Sequence, residues 1–363
     1  MLADSNGAYA KIKVIGIGGA GMNAVDRMID AGLEGVEFLA MNTNLQGLEL
    51  CKCVNKLHIG PTLTRGLGAG GNPELGKQSA EESMPEIKRL LDGADMVFVA
   101  AGMGGGTGTG AAPIVAQLTR ELDILTVAVV TKPLIWEGAT RARAAEKVIA
   151  ELREVVDTLI VVPNDRLIDV VEKKTTFQEA FRIADEVLRQ GVQGISDIIT
   201  VPGMIDVDFN DVRSIMANQG TALMGIGFGT GEDKAVRAAE MACKSPLVET
   251  TIDGAKGILM NVTAGPDITL AEIHEAAEMV SKACDTDDAN LIFGAVIDPS
   301  MKDEVRITIV ATGFDSRERT KVAVAASGAK SEQSSRGVFE VPDSPTSGTD
   351  ELEIPTFLRN TSR

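Results

Sequence analysis

Seven consecutive residues without bulk, Gly104-Gly105-Gly106-Thr107-Gly108-Thr109-Gly110, stand between an apolar run, Met96 to Ala101, and a helix-like run, Ala112 to Glu121. No other feature of the chain narrows its possible folds as much. A flexible linker shares this composition but does not lie between a buried strand and a helix. In that position successive backbone N–H groups form a nest for two or three phosphates, with two hydroxyls at hand. The chain reads first as an α/β protein that takes a phosphorylated ligand.

A second glycine motif, Gly16-Ile17-Gly18-Gly19-Ala20-Gly21, follows the apolar run Lys11 to Gly16 and opens a helical stretch. Such glycines allow a tight turn and close approach of a phosphate to a helix N-terminus. Formally this is the dinucleotide fingerprint GxGxxG. That reading also wants an acidic residue at the end of the next strand to hold a ribose, whereas Val36 to Met41 ends in Asn42, Thr43 and Asn44. A nicotinamide-dependent oxidoreductase is thereby weakened, and simple strand–helix packing stands as the bland alternative. A third cluster, Gly66 to Pro73, offers a loop over a terminal phosphate. Gly71 to Lys77 spells the start of a P-loop, but Gln78 replaces the metal-holding hydroxyl and no buried strand precedes it, so Lys77 reads as a solvated helix residue.

Around these motifs apolar strands alternate with helices. Leu125 to Val130 and Thr158 to Val162 are strand-like, and Glu81 to Leu91 and Ala139 to Val156 are helical. The alternation predicts a mostly parallel sheet covered on both faces. From Phe177 to Ile199 apolar residues recur at helical spacing, which predicts a long helix separating two halves. Strand-like runs at Ala222 to Gly229, Gly257 to Thr263, Leu291 to Ile297 and Val305 to Thr312 then alternate with helices at Lys234 to Cys243 and Leu270 to Lys282, a second, smaller α/β domain. Ser316 to Asp350 is too polar to order itself and reads as a flexible linker.

Aromatic residues are only 3% of the chain, so its core must come from aliphatic side chains. Lys plus Arg at 35 against Asp plus Glu at 52 gives a net charge of -17, which disfavours nucleic acid or an acidic lipid surface as main partner. An anionic ligand must then rely on local backbone donors. The start lacks a secretory pattern and the apolar runs are strand-length, so a soluble, cytoplasmic protein is expected. Cys51 and Cys53 are too close for an ordinary disulfide or zinc knuckle, and Cys243 and Cys284 stand alone, so all four read as structural.

GGGTGTG after a fourth strand resembles the signature of the tubulin and FtsZ superfamily, and the resemblance runs from Lys11 to Gly313 and again over the tail. It implies a Rossmann-type GTP-binding domain, a long central helix and a smaller α/β C-terminal domain. The segments are then a flexible 1–10, the nucleotide domain 11–176, the helix 177–200, the polymerisation domain 201–315, the linker 316–350 and a docking peptide 351–363. By resemblance Gly18, Gly19, Ala20, Gly21 and Asn23 form the first phosphate loop, and Gly70, Gly71, Gly106, Thr107, Gly108 and Thr109 the others. Glu137 is implied toward the ribose, Arg141 toward phosphate and Asn164 toward the nucleoside. From spacing alone Glu137 and Arg141 equally make an exposed i,i+4 helix pair.

Phe181 and Asp185, one helical turn apart, can address one ligand. A carboxylate accepts both N1–H and N2–H of guanine, and adenine offers neither at that edge. Phe181 would stack and Asp185 would read the base; without the glycine loops Phe181 is an ordinary core residue.

Hydrolysis needs more than the first domain supplies. The resemblance implies that the acidic loop Pro202 to Asp211 of one subunit completes the site of the next, with Asp208 and Asp211 orienting water and cation on the γ-phosphate. Read blandly, that loop is merely solvated. Asp206 stands where many relatives carry Asn, and its role is the least defined. Cofactors implied are GTP/GDP with Mg²⁺ and a possible monovalent cation. The partners implied are further copies of the chain, head to tail, and membrane-tethering and regulatory division proteins reached through Leu352, Ile354, Pro355, Phe357 and Leu358. The implied role is a filament in the bacterial division ring at midcell. A nucleotide-binding regulator without turnover is the remaining alternative.

Overall fold

The structure, a computed structural model, describes residues 10–166, 176–201, 203–205, 207–244, 252–284 and 289–314. Expectations for Pro202, Asp206, the linker and the tail peptide lie outside the described residues.

Three central strands, β1 (Ile12–Ile17), β4 (Met96–Gly102) and β5 (Leu125–Lys132), are buried almost throughout. Alternation decides which face each residue serves. Val14, Phe98 and Val127 enter one core with α1 (Gly18–Asp30), while Ile15, Val97, Val99 and Ala128 enter another with α6 (Thr107–Glu121) and α7 (Ala139–Val155). With β2 (Val36–Asn42), β3 (Asn55–His58) and β6 (Thr158–Pro163) the order is β3-β2-β1-β4-β5-β6, all parallel. Order reverses between β1 and β4, so the crevice beyond their carboxyl ends is where such a sheet takes a ligand.

The sheet continues through β7 (Gly220–Thr230), β10 (Glu304–Thr312), β8 (Gly257–Ala264) and β9 (Asn290–Ile297), where β10 runs antiparallel to both neighbours. Between the two halves lies α8 (Phe177–Thr200), opened by a capping box in which Thr176 and Glu179 satisfy each other's backbone N–H. Its Val187, Leu188, Val192 and Ile195 share a core with Val129 and Ile160 on one side and Leu259 and Val310 on the other. Gly194 is required there, because a Cβ would sit 2.5 Å from Thr308 Cγ2.

One expectation needs correction, and four short elements were not expected. The helix over Glu81 to Leu91 is broken at Ser83 into α4 (Pro73–Glu82) and α5 (Met84–Leu91), with Pro85 in the first turn of the second. Strand β3, the helices α2 (Leu45–Leu50) and α3 (Pro61–Thr64), and α9 (Phe209–Met216) went unread. They are short, and β3 is polar. Lys77 lies exposed on α4, 4.0 Å from Glu81, and takes no part in a phosphate loop. The helices α10 (Lys234–Cys243) and α11 (Leu270–Ala283) cover the second domain. All four cysteines are free, and burial pushes the Cys51, Cys243 and Cys284 thiols up to about 11. Among the described residues no helix is long and apolar enough to cross a membrane.

Candidate functional site

At the β1/β4 reversal the chain opens a cleft of about 240 Å³. Helix α1 starts at Gly18 and α6 at Thr107, and neither N-terminus has a side-chain cap. The two termini touch, since a Cβ on Gly18 would lie 3.0 Å from Gly108 N. Uncapped first-turn N–H groups and two aligned helix dipoles favour an anion between them.

The cleft is lined by Gly18, Gly19, Ala20, Gly106, Thr107, Gly108, Glu137, Arg141, Asn164 and Asp185, residues the sequence singled out from five separate segments. Gly21, Asn23, Gly70, Gly71 and Thr109 are not among its lining residues. Gly21 is buried, and a Cβ there would lie 2.2 Å from the carbonyl oxygen of Ala100, so it serves strand–helix packing. Thr109 turns inward and its Oγ1 accepts from Gly104 N at 2.9 Å, fixing the loop from within. Asn23 is exposed on α1. Gly70 and Gly71, both at positive φ, have open space around them, while neighbouring Ala69 and Asn72 press on Gly106. Phe181 lies on α8, and its side chain is outside those described.

Glu137 and Arg141 pair with each other. Arg141 Nη1 donates to Glu137 Oε2 at 2.5 Å as an i,i+4 pair, and the pair stands at the cleft wall. Glu137 also accepts from Leu134 N, which holds the turn before α7.

Of the lining residues Asp185 is buried, and its Oδ2 accepts from Arg27 Nε at 3.1 Å. Burial pushes the Asp185 carboxyl above its ordinary value, while Arg27 pulls it back. Asn164 is also buried, and its Oδ1 has no hydrogen-bond partner. An orphaned acceptor and a costly carboxylate beside one cavity fit a ligand that brings donors, as guanine and ribose do. Arg27 carries no local sequence signal. Thr131, near the end of β5, and Pro133, just beyond it, also line the cleft, at a strand carboxyl end where such sheets gather ligands.

The end of β2 disposes of the dinucleotide fingerprint. Asn42 Oδ1 accepts from Thr43 N and Asn44 N, a local turn built on an amide where that fingerprint calls for a carboxylate.

Asp208 and Asp211 lie outside this cleft, at the start of α9. They form a capping box: Asp211 N donates to Asp208 Oδ1 at 2.9 Å and Asp208 N to Asp211 Oδ2 at 3.3 Å. Both remain exposed. The preceding loop is pinned to edge strand β9, where Met204 N donates to Ala295 O at 2.8 Å. Gly203 is needed for that approach, since a Cβ would come within 2.4 Å of Ala295 O.

Residues 11–172 match the Tubulin/FtsZ family GTPase domain, and residues 220–315 match the FtsZ family C-terminal domain. An FtsZ dimer from M. jannaschii is 45% identical with a TM-score of 0.81, over 85% of this chain and 90% of that one. CetZ1 from Haloferax volcanii, a GDP-bound monomer, shares the fold at 21% identity and a TM-score of 0.72, over 87% of this chain and 99% of that one. CetZ2 of the same organism, a GTPγS-bound protofilament, does so at 21% and 0.69, over 88% and 99%. With its fold, cleft and both domain matches in agreement, the chain belongs to the FtsZ family of tubulin-like GTPases.

Proposed function

We propose that this GTPase binds its nucleotide in the cleft between α1, α6 and α8, and hydrolyses it only when a second copy docks head to tail. The observation that carries the reading is the convergence of two uncapped helix N-termini on a cleft also lined by Asp185 and the orphaned Asn164. Backbone N–H groups of Gly18, Gly19, Ala20, Gly106, Thr107 and Gly108 take the phosphates; Gly70, Gly71 and Thr109 shape the loops around them. Glu137 and Arg141 flank ribose and phosphate, Asn164 meets the nucleoside, Phe181 stacks, and Asp185 reads guanine.

Of the carboxylates that line the cleft among the described residues, Glu137 is paired with Arg141 and Asp185 with Arg27, which leaves the water to a residue from outside. The exposed Asp208 and Asp211, presented by a loop pinned to β9, supply it on the neighbouring subunit. Among the described residues no group of three or more His, Cys, Asp or Glu could hold a metal ion. Mg²⁺ keeps water and prefers one or two carboxylates plus substrate phosphates, so the phosphates of the nucleotide would hold it. When bound it neutralises phosphate charge, and a monovalent cation is the other candidate at the acidic loop.

The filament is a division-ring element beneath the membrane at midcell. Residues 316–350 act as a tether, and 351–363 dock on membrane-tethering and regulatory division proteins through Leu352, Ile354, Pro355, Phe357 and Leu358. Light scattering and phosphate release, followed together after GTP addition across a protein concentration series, test the core of this reading. Specific activity should rise with assembly. Constant specific activity would exclude the shared site, and scattering without phosphate release would favour a regulator without turnover.

A further inference from the structure

Thr43, at the end of β2, is completely buried, yet its Oγ1 lies 2.6 Å from Oγ1 of Thr107, which lines the cleft. Sixty-four residues separate the two hydroxyls in sequence. The direction of their hydrogen bond follows from burial. Among the described contacts Thr107 is the one partner of the Thr43 hydroxyl. If Thr107 donated, the Thr43 hydrogen would be left buried without an acceptor, a costly arrangement. Thr43 is therefore the donor, and the Thr107 hydrogen is free to point into the cleft.

The Thr43 backbone is itself held firmly. Its carbonyl oxygen accepts from Gly68 N, His58 Nε2 and Thr64 Oγ1, each at 3.2 Å. Thr64 ends α3, and Gly68 belongs to the loop after it, which reaches Ala69 and Asn72 against Gly106. One buried residue thus carries both the hydroxyl behind Thr107 and the anchor of the loop beside it.

The geometry points to Thr43 as a positioning residue for the phosphate end of the site: its hydroxyl donates to Thr107, fixing the Thr107 hydroxyl as a donor to an anionic phosphate oxygen. This rests on the nucleotide reading given above. Hydrogen bonds in series polarise one another, so a donor that is itself an acceptor binds an anion more strongly. Thr43 touches no ligand and acts through Thr107.

The test is GDP and guanosine affinity, the latter by competition with a fluorescent GDP, for wild type, Thr43→Val, Thr43→Ser, Thr107→Val and the Thr43→Val/Thr107→Val pair. Valine keeps the shape of threonine and removes the hydroxyl. Thr43→Val should weaken GDP binding about five- to tenfold, the scale of one modified bond to a charged group, and leave guanosine within about twofold. Thr43→Ser should restore GDP affinity, and Thr43→Val should add nothing once Thr107 is valine. Equal losses for GDP and guanosine would show a merely structural role, and additive losses in the double variant would show that Thr43 does not act through Thr107; either overturns the inference. Failure of the wild type to bind GDP would instead overturn the nucleotide reading.

Discussion

Arg27 Nε lies 3.1 Å from Asp185 Oδ2, joining α1 to α8 at the cleft across 158 residues of sequence. Two effects oppose each other on Asp185. Burial, the larger, raises its carboxyl above the ordinary range, and the guanidinium stabilises the charged form. Guanine needs the carboxylate ionised. Nucleotide affinity should therefore fall on acidification at a higher pH than an ordinary aspartate dictates, and Arg27→Met should move that fall higher still. Asp185→Ala should erase the preference for GTP over ATP, set at about 10⁴ for a site built to hydrogen-bond its substrate. Fluorescent-nucleotide titrations between pH 5 and 8 measure all three, and an unchanged pH profile in Arg27→Met would detach Arg27 from the site.

Glycines of the two motifs should respond to alanine with opposite signs. A Cβ on Gly110 would lie 2.1 Å from the carbonyl oxygen of Pro73 and 2.4 Å from Lys77 N, so Gly110→Ala forces α4 off α6. Backbone contacts cannot rotate away, and the cost should be about 3 kcal/mol or more. Gly19 is exposed, with nothing within 4 Å of its Cβ position. Gly19→Ala should leave the nucleotide-free protein as stable as wild type or slightly more so, by up to about 1 kcal/mol. Its methyl group takes cleft space, so GDP affinity should fall at least about tenfold. Melting with and without GDP separates the two.

That contrast shows where the sequence is legible. The βαβ alternation, the long helix and the second domain follow from apolar periodicity, which reports burial directly. A glycine reports only that something comes close. Whether the neighbour is a phosphate, as proposed for Gly106, or a carbonyl, as for Gly21 and Gly110, depends on chain segments that meet only after folding. Arg27 against Asp185, and Thr43 against Thr107, are unreadable for the same reason. Strand β3 went unread because an edge strand pairs on one side and needs little apolar content.

Asp197, on the buried face of α8, should make stability depend on pH. Its Oδ2 is 3.8 Å from Arg306 Nη2 on β10, and burial raises its carboxyl to about 6 despite Arg306, Gln193 and Arg189. The unfolded value is about 3.9. Between these values the folded chain holds the extra proton, so this contribution is fully present below about 4 and is lost as pH rises to about 6. A two-unit shift corresponds to on the order of 2 kcal/mol. Asp197→Asn should remove that slope and be at least as stable as wild type at pH 7.5. Urea midpoints from pH 4 to 8, compared between the two proteins, measure the difference; a variant that weakens most at pH 7.5 would show that the ion pair outweighs burial.

Asp208 has a structural duty that must be separated from its proposed chemistry. As the cap of α9 its Oδ1 accepts from Asp211 N, a bond an asparagine side chain makes equally well and an alanine cannot. Asp208→Ala should therefore lose about 1 kcal/mol of stability as well as turnover. Asp208→Asn should keep the fold and remove only the charge. Because Asp208 lies outside its own chain's cleft, Asp208→Asn should bind GTP like wild type and release little phosphate. Asp185→Ala should fail in the complementary way, with an intact acidic loop and a cleft that no longer holds guanine. Mixed, the two variants create junctions in which a GTP-filled cleft from one faces an intact Asp208 from the other. Phosphate release should then exceed the sum of the separate proteins, and rise with the concentration of either. A mixture no more active than its parts would place the whole hydrolytic site within a single chain.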